Sequence, residues 1–135
     1  MTAVDTNVLI YARDPRDPRR QSTAAELIRT LRDGVLLWQV ACEYVAASRK
    51  LAPFGFSVSE AIDDLRDLRS IWTTALPDWS TFDRAVELQR RFSLSIWDAL
   101  LVAACIEARV DELLTEDLGA QSVIEGVRIR NPFAS

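Results

Sequence analysis

The sequence predicts an α/β fold built on a mostly parallel sheet. Short apolar runs of strand length alternate with segments whose apolar residues recur at helical spacing. One segment, Ile96 to Ala108, is apolar on nearly every side, as expected of a helix buried at the centre of such a fold. At 135 residues the chain has the length of one domain, residues 1–135, with no linker or low-complexity tract.

Taken in order, Ala3-Val4 predicts a short buried strand, Asp5-Thr6-Asn7 a polar turn, and Val8 to Tyr11 a first helix. Arg13-Asp14-Pro15-Arg16-Asp17-Pro18 must turn, and Asp17-Pro18 starts a helix with Asp as N-cap and Pro in the first position. Ala24, Leu27, Ile28 and Leu31 mark its apolar face, and Gly34 is expected to close it. Val35 to Trp38 reads as a strand, and Val40 to Leu51 as a helix stopped by Pro53 and Gly55. Ser57-Val58-Ser59-Glu60 has the form of a capping box, followed by the apolar face Ala61, Ile62, Leu65 and Leu68. Ile71 to Thr74 is expected to be a strand, ended by Pro77. Phe82, Ala85, Val86 and Leu88 belong to a helix beginning at Asp78 or Ser80. Glu112 to Thr115 and Val127 to Arg130 are the last two strands.

Composition narrows the chemistry. The chain has no histidine, which removes Ser-His-Asp and Cys-His catalysis, HExxH proteases and most zinc sites. Lys50 is the sole lysine and stands in no phosphate-binding loop motif. Net charge is −4, which argues against a scaffold that binds nucleic acid through its overall field. Cys42 and Cys105 lie in apolar helical runs and are expected to be reduced and buried. The first residues carry no basic leader, and the longest apolar stretch contains Asp98 and is too short to span a bilayer. A cytoplasmic protein with no membrane association is expected.

Four acids stand out. Asp5 and Asp117 follow strands; Glu43 and Asp98 lie near the starts of apolar helices. In an open parallel sheet, ligands bind beyond the carboxyl ends of the strands, and helix starts face that same edge. All four could meet there. Converging carboxylates repel and lose hydration, so they call for a cation, and oxygen ligands favour Mg²⁺ or Mn²⁺ over zinc. Each acid also has a structural reading: Asp5 as an N-cap, Glu43 as a partner of a helix dipole, Asp98 as the third residue of a helix capped by Ser95, and Asp117 as a loop acid.

The segments Asp5-Thr6-Asn7-Val8-Leu9-Ile10-Tyr11-Ala12, Trp97-Asp98-Ala99-Leu100 and Thr115-Glu116-Asp117, with Glu43 in its helix, resemble the PIN-domain nucleases, and more narrowly the VapC-type toxins of bacterial toxin–antitoxin modules. The resemblance extends from near residue 2 to Phe133 and implies a five-stranded, mostly parallel sheet sandwiched by helices in three layers. It implies a Mg²⁺- or Mn²⁺-dependent endoribonuclease, a small VapB-like antitoxin partner that blocks the site, and a homodimer. By motif position Asp5, Glu43, Asp98 and Asp117 would be the catalytic and metal-binding quartet. Thr6, Asn7 and Thr115 would support them, and Glu116 could share the fourth corner with Asp117.

RNA would be positioned by cations, for which Arg13, Arg16, Arg19 and Arg20 form one candidate patch and Arg90 with Arg91 another; both also read as solvated surface. The four tryptophans Trp38, Trp72, Trp79 and Trp97 are expected in the core or an interface, while Phe54 and Phe56 are expected in a loop that could meet a partner. Two other functions compete. A haloacid-dehalogenase-like phosphatase also opens on a strand ending in Asp, but Asn7 stands where that chemistry needs a second acid. A catalytically silent PIN-like binding module is the other.

Overall fold

The computed structural model describes residues 1–119 and 122–134. The chain forms β1 (Thr2–Val4), α1 (Thr6–Tyr11), α2 (Pro18–Thr30), β2 (Gly34–Leu37), α3 (Trp38–Ser48), a 3-10 segment (Arg49–Phe54), α4 (Val58–Ile71), β3 (Thr73–Ala75), α5 (Trp79–Phe92), α6 (Ile96–Glu107), β4 (Glu112–Leu114), β5 (Val123–Ile124) and β6 (Val127–Arg130). The strands lie in the order β3-β2-β1-β4-β6-β5. Every neighbouring pair is parallel except β5 with β6.

This is the expected three-layer α/β fold, with one addition. The two-residue strand β5 forms a hairpin with β6 through Glu125 and Gly126, both at positive φ (49° and 83°). That tight turn is the one place where a residue without a side chain relieves backbone strain in the sheet. Two apolar residues are too few for a periodic pattern to announce a strand.

Local chemistry explains most boundaries. Asp17 caps α2 by accepting from the Arg20 amide, with Pro18 in the first turn. Ser57 and Glu60 close a reciprocal capping box on α4, and Asp78 with Thr81 does the same on α5. Elsewhere the structure corrects the sequence. Gly34 does not end α2, which stops at Thr30 (C-cap Leu31), but opens β2. A side chain there would collide with the buried Trp72 ring, since an added Cβ would sit 2.4 Å from two indole carbons. Trp38 belongs to α3 rather than to the strand before it, and Ile71 and Trp72 end α4 rather than begin β3. Phe56 is not in an exposed loop surface; it packs in the core at 6.2 Å from the Tyr44 ring. Cys105 is buried as expected, whereas Cys42 is exposed.

The core lies between the sheet and its helices. All four residues of β2 are buried, and α4 and α6 both pack on that strand. Helix α6 buries Ala99, Leu101, Val102, Ala103 and Cys105. From β1 the chain moves outward through β2 to β3, then crosses back to place β4 on the other side of β1. The strand order therefore reverses between β1 and β4, the point at which an open α/β sheet carries its ligand crevice beyond the carboxyl ends of the strands. Among the described residues no helix is long and apolar enough to cross a membrane.

Candidate active site

Asp5 sits at that crevice. It follows β1, its backbone N–H donates to the carbonyl of Leu114 at the end of β4, and only 8% of its surface is exposed. It caps α1 by accepting from the Thr6 amide at 2.7 Å on Oδ1, and Oδ2 accepts from the buried Thr115 hydroxyl at 2.7 Å. Burial drives the Asp5 carboxyl above its ordinary pKa, and the negative charges of Asp117 and Glu43 push the same way, while the Thr115 and Thr6 hydrogen bonds hold it down.

Two other acids are tethered to this centre by its neighbours in the chain. Thr6 Oγ1 donates to Glu43 Oε1 at 3.2 Å, bringing α3 to the start of α1. Asn7 Nδ2 donates to Asp117 Oδ2 at 3.0 Å, and the Asp117 amide donates to Thr115 Oγ1 at 3.1 Å. Thr115 thus joins Asp5 to Asp117 through one hydroxyl. Because the Asn7 amide group must face a carboxylate, its orientation is settled, and its Oδ1 is left buried with no hydrogen-bond partner.

Asp98 stands apart from this network. It is the third residue of α6, half-buried, and its amide donates to the capping Ser95 hydroxyl at 3.1 Å. The start of α6 reaches the start of α3, where Gln39 Nε2 donates to the Trp97 carbonyl at 3.2 Å. Asp98 is therefore on the edge that carries Glu43, but no hydrogen bond ties it to the other acids. The carboxylates are linked through Thr6, Asn7 and Thr115 rather than through one another, and among the described residues no three of them stand as a ready-made cage. Their chemistry nonetheless suits a hard cation: carboxylate oxygens, an orphaned amide oxygen beside them, and a buried acid destabilised by its neighbours' charge.

Glu116 is turned elsewhere. Its Oε1 accepts from the Tyr11 hydroxyl at 2.6 Å and its Oε2 from Arg20 Nε at 2.8 Å. Burial pushes the Glu116 carboxyl up, but the Tyr11 hydrogen bond and the Arg20 guanidinium together outweigh it and hold the group below its usual value; the bond to Glu116 also pushes the Tyr11 phenol up to about 12. The Thr-x-Asp pattern favours Asp117 for the fourth corner with Glu116 able to share it; the hydrogen bonds join Asp117 to Thr115 and Asn7, and Glu116 to Tyr11 and Arg20 instead.

The expected basic patch is largely engaged within the molecule. Arg13 makes a two-point contact with Asp64, Arg16 pairs with Asp14, and Arg20 pairs with Asp17 and Glu116. Only Arg19 has no ion pair among the described residues, and it is exposed. Lys50, exposed in the 3-10 segment, shares no hydrogen bond or ion pair with Asp5 among the described residues. One of two clefts borders the site and the other lies away from it. One, of about 520 Å³, runs between α3 and α6 and is lined by Trp38, Glu43, Trp97 and Leu100. The other, also about 520 Å³, lies on the opposite face of α1 from Asn7 and Tyr11, where Leu9, Ile28, Leu68 and Ile71 surround Arg13, Tyr44 and Asp64.

Residues 2–125 match the family model described as "PIN domain". No curated protein matches the chain. Among solved structures, a toxin–antitoxin complex from Klebsiella pneumoniae superposes with TM-score 0.70 at 19% identity, covering 98% of both chains. The Mycobacterium tuberculosis toxin VapC20, described as cleaving the sarcin-ricin loop, gives TM-score 0.70 at 18% identity over 95% of this chain and 99% of that one. VapBC2 from Rickettsia felis, bound to a DNA fragment of its promoter, gives 0.66 at 14% identity over 96% and 97%.

Proposed function

The chain belongs to the PIN-domain family, and from that premise we propose that it is a metal-dependent endoribonuclease, the toxin of a toxin–antitoxin pair, with residues 1–135 forming one cytoplasmic nuclease domain. The observation that carries this reading is a buried Asp5 repelled by Glu43 and Asp117 and yet held in register with both. A fold keeps such an arrangement when a cation offsets the repulsion. The solved toxin structures with the same fold support the same direction.

Asp5, Glu43, Asp98 and Asp117 are the residues that would hold Mg²⁺ or Mn²⁺. When bound, such an ion supplies positive charge at the scissile phosphate and lowers the pKa of the attacking water, a task that a chain without histidine cannot give to imidazole. The protein's own groups prepare the site. Thr115 and the Thr6 amide favour the ionised form of Asp5 and fix its plane. Thr6 aims Glu43, and Asn7 aims Asp117. Exposed Arg19 is free to meet a backbone phosphate, whereas Arg13, Arg16 and Arg20 must first give up internal partners. By the family resemblance the products would be a 5′-phosphate and a 3′-hydroxyl.

Two partners complete the reading. A small VapB-like antitoxin would seat an apolar segment in the groove beside α1, over Leu9, Ile28 and Ile71. A second copy of the chain would cover the exposed Trp38, Leu76, Trp79 and Trp97, of which Trp79 is 78% exposed.

The test is cleavage of RNA by purified wild-type, Asp5→Asn and Asp98→Asn proteins, with Mg²⁺ or Mn²⁺ and with chelator. Wild type should cut only with metal, and each variant should lose at least about 100-fold in rate, the scale of a missing metal ligand or its support. Cleavage that survives both substitutions defeats the assignment. Tight partner binding by a wild-type protein that cuts no RNA favours the silent binding module.

A further inference from the structure

Asp117 is exposed, lies in a bend beyond β4, and is repelled by Asp5. One hydrogen bond from Asn7 is a weak hold for such a side chain. Its neighbour is far better anchored. Glu116 receives the Tyr11 hydroxyl on one oxygen and Arg20 on the other. Arg20 is itself fixed by Asp17, to which its Nη1 donates at 3.0 Å. Its guanidinium lies over the rings of Tyr11 at 5.4 Å and Phe133 at 5.8 Å, and those two rings meet edge to face at 5.0 Å. Side chains from α1 and α2 therefore converge on one acid of this short bend, and Phe133 of the C-terminal segment packs behind both.

Asn7 and Tyr11 are four residues apart and share a face of α1. One grips Asp117 and the other grips Glu116. Because the two acids are consecutive, fixing Glu116 restricts the backbone torsions that decide where Asp117 points. We propose that Tyr11, Arg20 and Glu116 form a positioning latch that aims the Asp117 carboxylate at the crevice beside Asp5. The role in metal affinity rests on the nuclease reading above; the role in orientation does not. Glu116 and Tyr11 are positioning residues here, acting through Asp117.

The experiment uses the full chain and two readouts on Tyr11→Phe, Glu116→Gln, Asp117→Asn and, as a control, Asp64→Asn. Side-chain amide signals of Asn7 in ¹⁵N NMR report whether Asp117 still accepts its hydrogen bond. Calorimetric titration with MnCl₂ alone reports the ion site. The latch predicts shifted or broadened Asn7 signals and Mn²⁺ binding weakened about tenfold in both Tyr11→Phe and Glu116→Gln, the lower end for residues that orient a ligand. Asp64→Asn, which breaks an ion pair on another face, should melt earlier yet keep wild-type Mn²⁺ affinity. Wild-type Asn7 signals in Tyr11→Phe and Glu116→Gln overturn the latch. If Tyr11→Phe fails to fold, Glu116→Gln alone decides. A wild-type protein that binds no Mn²⁺, or an Asp117→Asn protein that binds it unchanged, overturns the metal reading instead, and the Asn7 signals still decide the latch.

Discussion

Replacing Thr115 by Val removes one hydroxyl from the buried junction of the site while keeping its shape. That hydroxyl donates to Asp5 Oδ2 at 2.7 Å and accepts from the Asp117 amide at 3.1 Å. A hydrogen bond to a charged group contributes about 1.5–3 kcal/mol and one between neutral groups about 0.5–1.5 kcal/mol, so the loss at neutral pH is about 2–4.5 kcal/mol. For 135 residues this corresponds to a melting temperature lower by about 7–16 °C. The cost depends on pH. Asp5 titrates above its unfolded value, so the folded state holds its proton more tightly. The stability this confers is complete below the unfolded pKa and is lost as pH rises through the folded one. Thr115 lowers the folded value, so Thr115→Val raises it further and carries the decline to higher pH. Urea unfolding of the metal-free protein across the acid-to-neutral range measures both effects. A destabilisation under about 0.5 kcal/mol at neutral pH, typical of an inert surface change, would refute the argument. So would a cost that stays the same in acid, where Asp5 carries no charge.

Gly34→Ala should cost about 1–3 kcal/mol by overpacking, because the new methyl meets the buried Trp72 ring at 2.4 Å; an unchanged urea midpoint would show that the ring can yield. Asp64→Ala removes the acceptor shared by Arg13 and the Tyr44 hydroxyl, at 2.9 and 2.6 Å, and should cost about 2–3 kcal/mol in the same assay. Thiol labelling of the native protein should modify Cys42 alone, since Cys105 is buried and its thiol is pushed up to about 12; labelling in denaturant should modify both.

Much of the candidate arrangement is legible in the sequence. An acid after a strand or at a helix start is visible because capping and strand ends are local patterns. The reciprocal pair Ser57–Glu60 and the simple cap of Ser95 on the Asp98 amide needed only a spacing of three residues. The exposure of three tryptophans was not legible, because an indole at helical spacing looks the same whether a neighbouring element covers it or not. Cys42 misled for the same reason: its flanking residues are apolar, but its own face of α3 meets solvent. The arginines misled differently. Their charge suggested a free basic patch, yet Asp64 and Glu116, 51 and 96 positions away, neutralise two of them.

By itself the sequence determined the alternation of strands and helices, the helix caps, and the absence of histidine from any candidate site, because each depends on residue type or on neighbours within about four positions. Only the tertiary structure decided that Glu116 is taken up by Tyr11 and Arg20, and that Asn7 and Thr115 bind acids 110 positions away. The reversal of strand order brings β4 beside β1, and the pairing that follows reflects the closure of the sheet, to which no local window of sequence has access.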